Sequence, residues 1–349
     1  VKVQKEDFQE AFKMCDAVQA SPVLETSQFI RLKQNGKELS LSLTGSLWAE
    51  SKVSASEGTG KWTAWIDRRA LKAFLNTAIG VEVELFYKDK LILKSGQRLE
   101  VAIRSAISGY ETWTPTTTFD LTDDQKAALK TAVKYLPNAA GAENLEAVCF
   151  GSDIVVTDSL FMLGVMGSSV KNAFFLPSEV ARFLTVNGGS LAVDKNGIGV
   201  SLGSGFVYQP LSSKLKNYPV DKCKAALQEG LDTIAVARVR ASELLSALSV
   251  ASQFLIDKLE SATAVFKGSS IILTVDLSAS KFQRIVPTLV TGAPLDVPVS
   301  WPLRKIIPWF EYAVSVKDDI EIEFAKTSNA SAFRFEDGPR KNVFLSADV

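Results

Sequence analysis

The chain has 349 residues, 46% of them hydrophobic and 22% charged, and its 39 lysines and arginines are balanced by 39 aspartates and glutamates. That make-up belongs to a folded protein too long for one ordinary core, and it excludes a disordered chain. There is no histidine, and the three cysteines, Cys15, Cys149 and Cys223, are widely spaced. The Ser-His-Asp and Cys-His nucleophile systems and the common zinc sites therefore fall away, while carboxylate or lysine chemistry stays open. No apolar run approaches the roughly 20 residues of a membrane helix. Residues 1–20 carry charges of both signs and no apolar signal core, so a cytoplasmic protein is expected.

The first predicted helix contains QEAFKMC (9–15), with Cys15 as a small buried hydrophobe on its apolar face. A β-like run, KWTAWI, leads into a second helix around LKAFL (71–75). There Leu71, Phe74, Leu75 and Ala78 share the inner face, Arg69 and Asn76 lie opposite, and Lys72 flanks. VEVELFYKDKLILKSGQRLEVAI alternates as strands turning at Asp89-Lys90, and a Pro/Thr linker follows near Thr114–Thr118.

TDDQKAALKTAVKYL (122–136) opens the middle third. Lys126, Lys130 and Lys134 fall four apart and line one stripe of a helix, and Ala128, Leu129, Ala132, Val133 and Leu136 line the other. NAFFLP precedes VARFL (180–184), with Val180, Phe183 and Leu184 inward and Arg182 outward. GSLAVDKNGIGVSLGSGFVYQPL alternates around a turn at Lys195-Asn196-Gly197. The charged stretch Pro219–Gly230 reads as a second linker, partly loop.

In the last third LSALSVA (244–250, closing at Ala251) is helical and shows Ser246, Ser249 and Gln253 instead of cations. LDVPVSW leads into LRKII (303–307), with Leu303, Ile306, Ile307 and Phe310 inward, Lys305 and Tyr312 opposite and Arg304 flanking. Pro308 is expected to kink this helix or confine it to its first turns. DIEIEFAKTSNASAFRFEDGPRKNVFL then alternates around Ser328-Asn329. The pairs Ala11-Phe12, Ala128-Leu129 and Ala247-Leu248 mark one plan repeated at steps of 117 and 119 residues. An α+β chain of three domains follows, 1–115, 116–230 and 231–349, each with two helices and several antiparallel strands.

Taken in order, the motifs resemble those of the bacterial DNA sliding clamp, the β subunit of DNA polymerase III, in a divergent or phage-like form. ELSLSLTGSLWAESKVSA (38–55) is similar to the family's first-domain strand pair, and LILKSGQRLEVAI (91–103) to its closing strands. IVVTDSLFMLGV (154–165) sits where the family has its ATDGHRLA-type motif, SKLKNYP (213–219) resembles the end of its second domain, and FRFEDGPRKNVFLSADV (333–349) resembles its last strands. The resemblance implies a processivity clamp without catalytic activity or cofactor. Antiparallel sheets would form the outer wall, and two helices per domain would line a ring of two chains joined head to tail. That ring would encircle duplex DNA without sequence preference and tether the replicative polymerase in the cytoplasm of a bacterial or phage-infected cell. The polymerase and the clamp loader would dock through short peptides.

Packed helices lie about 8–10 Å apart, so six make a circle only about 17 Å across and twelve one of about 35 Å. A duplex roughly 20 Å wide therefore needs two chains. The implied DNA face takes Arg69, Lys72, Lys126, Lys130, Lys134, Arg182, Arg304 and Lys305, together with Lys13, against Glu6, Glu10 and Glu243. Lysines on flexible stems suit a sliding contact that fixes no register. The loop Asn138–Asn144 carries no cation.

The implied peptide pocket places Thr157, Ser159, Leu160, Phe161 and Met162 on one wall and Leu345, Ser346 and Ala347 on the other, completed by Ala226 and Leu227. Where the family has Gly-His-Arg-Leu and a terminal Met-Pro-Met, this chain has Ser-Leu-Phe-Met and Leu-Ser-Ala, so a different peptide preference is expected. Placement of Phe161 and Met162 in a sandwich core stays open. Ring closure would set Leu99, Val101 and Ile103 against Phe254, Leu255, Ile256 and Leu259 of the partner. Two other readings remain. One is a β-rich repeat protein with a binding or structural role. The other is an enzyme using Asp153 and Asp158 or Asp318 and Asp319, although no phosphate-binding GxxxxGK[ST] occurs and Gly203-Ser204-Gly205 is too short for one.

Overall fold

A computed structural model describes residues 1–18, 25–102, 107, 113, 115–136, 145–151, 153–157, 161–165, 174–211, 215, 217–228, 232–255, 261–277, 280–292, 295–326, 331–337 and 340–346. The first third runs β1 (Lys2–Gln4), α1 (Lys5–Asp16), β2 (Phe29–Asn35), β3 (Glu38–Thr44), β4 (Trp48–Glu57), β5 (Lys61–Asp67), α2 (Arg68–Thr77), β6 (Glu82–Tyr87), β7 (Lys90–Lys94) and β8 (Arg98–Ala102). The middle runs β9 (Thr117–Phe119), α3 (Asp123–Ala132), a 3-10 turn (Val133–Tyr135), β10 (Ala147–Phe150), β11 (Ile154–Thr157), β12 (Phe161–Val165), β13 (Phe174–Pro177), α4 (Ser178–Asn187), β14 (Ser190–Val193), β15 (Gly197–Leu202) and β16 (Gly205–Pro210). After α5 (Val220–Gln228) come β17 (Ala235–Arg240), α6 (Ala241–Ser252), β18 (Ser261–Lys267), β19 (Ser270–Asp276), β20 (Lys281–Pro287), β21 (Leu289–Gly292), β22 (Leu295–Pro302), α7 (Leu303–Val316), β23 (Asp319–Lys326), β24 (Ser331–Asp337) and β25 (Arg340–Ser346).

The order β-α-ββββ-α-βββ thus recurs, with β21 inserted in the last copy. Pairing recurs with it, all of it antiparallel. The first strand pairs with the strand after the second helix: β1 with β6, β9 with β14, β17 with β23. The strand after the first helix pairs with its hairpin neighbour and with the strand before the second helix: β2 with β3 and β5, β10 with β11 and β13, β18 with β19 and β22.

Contacts group the chain into two compact units, 1–122 with 179–212, and 123–178 with 213–349. The first unit holds a twelve-stranded sheet ordered β8-β7-β6-β1-β4-β16-β15-β14-β9, with β2, β3 and β5 branching from it. Its α1 buries Phe8, Ala11, Phe12, Met14 and Cys15, and α2 buries Leu71, Phe74 and Leu75. Asp67 starts α2 by accepting from the N–H groups of Arg69 (2.8 Å) and Ala70 (3.0 Å), the cap a short helix needs. The second unit holds a nine-stranded sheet, β13-β10-β11-β12-β25-β24-β23-β17-β21, and a four-stranded one, β20-β19-β18-β22. Phe266, Trp301, Phe324 and Phe333 pack edge-on and tilted in its core. Among the described residues no helix is long and apolar enough to cross a membrane.

Three expectations change. Thr117 and Thr118 do not belong to a linker: they form β9, in register with Val193 and Ala192. Residues 220–228 are the helix α5, not loop; their charges hid an apolar side that packs on β11, β12 and β25. Pro308 does not stop α7, which continues to Val316. Proline removes one intrahelical bond, but the next turn buries Trp309 and Phe310 against Phe335, which offsets the loss.

Candidate nucleic-acid interface and partner groove

In the first unit α1 and α2 lie side by side, with Lys5 Nζ donating to the Ala78 carbonyl (2.6 Å) and Gln9 Nε2 to the Leu75 carbonyl (2.7 Å). These bonds satisfy carbonyls that the end of α2 leaves open. Lys13, Arg69 and Lys72 are exposed. Asp16 gathers two cations, Arg68 at 2.6 Å and Lys72 at 2.8 Å. Burial alone would raise the Asp16 pKa, but the hydrogen bonds and charges of Lys72 and Arg68 together hold it below the usual carboxylate range. On α4, Arg182 is half-buried and pairs with Glu179 at 3.0 Å.

In the second unit Lys126, Lys130 and Lys134 are all exposed, while Ala128, Leu129, Ala132 and Leu136 are buried and Val133 is half-buried. Lys134 stands on the 3-10 turn rather than on α3 itself and meets Glu311 of α7 at 3.9 Å. Lys126 meets Asp123 at 3.4 Å. Arg304 is exposed and Lys305 half-buried on the first turn of α7. Arg69, Lys130 and Lys13 have no ion pair among the described residues. Asp16, Asp123, Glu179 and Glu311 were missing from the charge count made on sequence, as was Arg68. Carboxylates thus stand beside Lys72, Lys126, Lys134 and Arg182.

The proposed pocket walls meet in one sheet. β11, β12 and β25 are neighbours, with Thr157 opposite Met162 and Phe161 opposite Phe344, and α5 packs on all three. This brings the backbones of Phe161, Met162, Leu345, Ser346 and Leu227 together. Ser159, Leu160 and Ala347 lie outside the described residues, as do the side chains of Phe161, Met162, Leu227, Leu345, Ser346 and Ala226. Thr157 is buried, with 1% exposure. Its N–H donates to the Tyr218 hydroxyl (3.1 Å), which donates to the Val155 carbonyl (3.4 Å). Tyr218, Cys223, Cys149, Val155 and Leu145 form a core cluster beneath α5. Burial pushes the Cys223 thiol up to about 11 and raises the Cys149 thiol and the Tyr218 phenol too. Sequence reasoning missed this cluster because its members are spread over 79 residues.

Among the described residues one kind of strand junction is made twice and leaves two strands over. β4 pairs with β16 in the first unit and β12 with β25 in the second: in each case the third strand after the first helix of one copy takes the last strand of the next. The strands left over in that scheme are β20 and β8, each bonded on one side among the described residues. β8 carries half-buried Leu99 and Val101, and Ile103 lies outside the described residues. On β20, Ile285 is 60% exposed, and Phe282 stacks on Phe254 of the α6 end at 4.5 Å. Leu255 is half-buried; Ile256 and Leu259 lie outside the described residues. Neither Phe282 nor Ile285 was singled out on sequence.

Two of the four aspartates weighed for chemistry have side-chain partners. Asp318 accepts from the Ser242 N–H (2.9 Å) at the start of α6, and that bond holds its pKa low. Asp153 lies 4.0 Å from Lys224, and Asp158 lies outside the described residues.

No protein-family model and no curated protein matches the chain. Solved structures do. The DNA polymerase III β of Caulobacter crescentus superposes with a TM-score of 0.83 at 14% identity, covering 100% of this chain and 99% of that one. The β subunit from Pseudomonas aeruginosa gives 0.81 at 12% identity, again covering 100% and 99%. A Pseudomonas aeruginosa sliding clamp bound to griselimycin gives 0.74 at 12% identity over the same shares. The chain therefore has the sliding-clamp fold, at a sequence distance that marks it as divergent.

Proposed function

We propose that this chain, which has the fold of the bacterial β sliding clamps, is itself a non-catalytic DNA sliding clamp of three like domains. Two copies close head to tail into a ring around duplex DNA and tether the replicative polymerase. The observation that carries the reading is the pair of leftover edges: the two other junctions of this kind are made within the chain, and among the described residues β8 and β20 each keep one side unbonded. An unpaired edge is a standing liability, and a second copy supplies both missing partners at once. The partner's β8 would add to β20 beside Phe254 and Phe282, with Leu99 and Val101 facing Ile285.

Lys126, Lys130, Lys134, Arg69, Lys72, Arg182, Arg304 and Lys305 serve as phosphate contacts. The carboxylates beside Lys72, Lys126, Lys134 and Arg182 keep those contacts weak, which suits sliding. The β12–β25 groove under α5 takes the peptides of the polymerase and the clamp loader. Substituting Lys126, Lys130 and Lys134 by Glu is expected to lower retention on loaded nicked circular DNA about tenfold and to flatten its salt dependence. Retention and salt slope both unchanged would remove these lysines from the DNA face.

A further inference from the structure

Thr44-Gly-Ser-Leu-Trp48 and Thr157-Asp-Ser-Leu-Phe161 are one motif written twice, 113 residues apart. The structure gives both copies the same place. Trp48 opens β4 and lies opposite Tyr208 of β16; Phe161 opens β12 and lies opposite Phe344 of β25. The β4–β16 join is therefore a second edition of the β12–β25 join that the reading above assigns to peptide docking.

The first edition is already filled. Trp113, from the segment between β8 and β9, is only 7% exposed and lies stacked on Tyr208 at 4.4 Å, with Phe206 edge-on at 5.4 Å. Its indole Nε1 donates to Asp194 Oδ2 at 2.8 Å. Trp48 tilts against the other side of the cluster, 5.3 Å from Tyr208. Beside the indole a cavity of about 530 Å³ remains open, with Arg31, Lys33, Lys52, Glu38 and Glu50 among its lining residues. Lys52 is engaged by Glu38 at 3.1 Å. Burial raises the Glu50 pKa, and the charges of Arg31, Lys52 and Lys33 oppose that rise. In sequence the aromatic anchor travels with an acid, Tyr110-Glu111-Thr112-Trp113.

We propose that the β4–β16 join is a second docking groove for a peptide bearing an aromatic residue next to a carboxylate, and that Trp113 holds it shut in cis. The aromatic ring of an incoming peptide takes the place of the indole on Tyr208 and Phe206. Its carboxylate enters the cavity toward Arg31 and Lys33. Only the likeness to the second groove rests on the clamp reading; the Trp113 latch rests on the contacts themselves.

The test uses the full-length chain without DNA and a synthetic peptide of residues 108–116, SGYETWTPT, followed by calorimetry. Trp113→Ala is expected to bind this peptide about tenfold more tightly than the unaltered chain, whose groove is taken. Adding Asp194→Asn to that variant should weaken binding about threefold, and so should a peptide with Gln in place of its Glu. Equal binding by Trp113→Ala and the unaltered chain, or equal binding of a peptide with Ala in place of its Trp, overturns the proposal. If Trp113→Ala does not fold, Trp113→Phe alone is measured: it keeps a ring in the groove but loses the bond to Asp194, so the loosened latch must raise peptide affinity about threefold, and no change overturns the proposal. None of these outcomes depends on a ring or on DNA retention, so this inference and the clamp reading fail separately.

Discussion

Asp16 joins what is chemically a single carboxylate to two helices: it ends α1 and holds Arg68 and Lys72 of α2. Its side chain is 18% exposed and that of Arg68 15%, whereas Lys72 is 54% exposed, so the Arg68 contact matters more than the Lys72 contact once solvent screening is counted. Asp16→Asn keeps the shape and removes the charge. It is expected to cost about 1–2 kcal/mol at pH 7 in urea denaturation. Because the folded pKa lies below the unfolded value of about 3.9, the contribution is complete above that pH and fades as pH falls through the folded pKa. The variant and the unaltered chain should therefore converge in acid; a constant gap from neutral pH down to strong acid would show that charge is not the cause. The buried thiols behave in the opposite sense. Burial pushes Cys15 up to about 12, so it stays a thiol at neutral pH and packs as a small apolar group. This residue was legible in the sequence from its place on an apolar face. Asp16 was not, because Arg68 stands 52 positions away and helical spacing reports only neighbours three or four apart.

Elements divide along the same line. Helices with a strong apolar stripe, such as α2 with Leu71, Phe74 and Leu75, were readable from spacing, and so were strands that alternate, such as β18. α5 was not, because four of its nine residues were taken as the charged and polar signature of a linker, and only the sheet it covers decides otherwise. β9 has three residues, too few for any period to register. The edges β8 and β20 are the elements on which the proposed assembly turns. Phe254 and Phe282 contribute about 0.5–1.5 kcal/mol beyond their buried area, and Ile285 presents an apolar side chain on the free side of β20. Ile285→Asp places a charge where the partner strand is to pack. Sedimentation at micromolar concentration should then show single chains, with the dimer weakened at least about tenfold. An unaltered two-chain species would put the interface elsewhere.

At the scale of the whole molecule the informative feature is repetition. One order of elements occurs three times, one pairing scheme occurs with it, and one kind of strand junction is made twice. The repeat of landmarks was visible in the sequence. The junctions were not, because each joins strands more than 150 positions apart in chain order and leaves no local mark. The stripe of Lys126, Lys130 and Lys134 was legible from its spacing although the chain is neutral, since total charge says nothing about its distribution. Closure by a second copy is the claim on which the functional account turns, and electron images of the purified protein test it most directly. The account predicts an annulus of two chains with helix axes about 35 Å apart across the opening, wide enough for a duplex. A single-chain particle, or an open arc in which β8 and β20 remain unpaired, would contradict it.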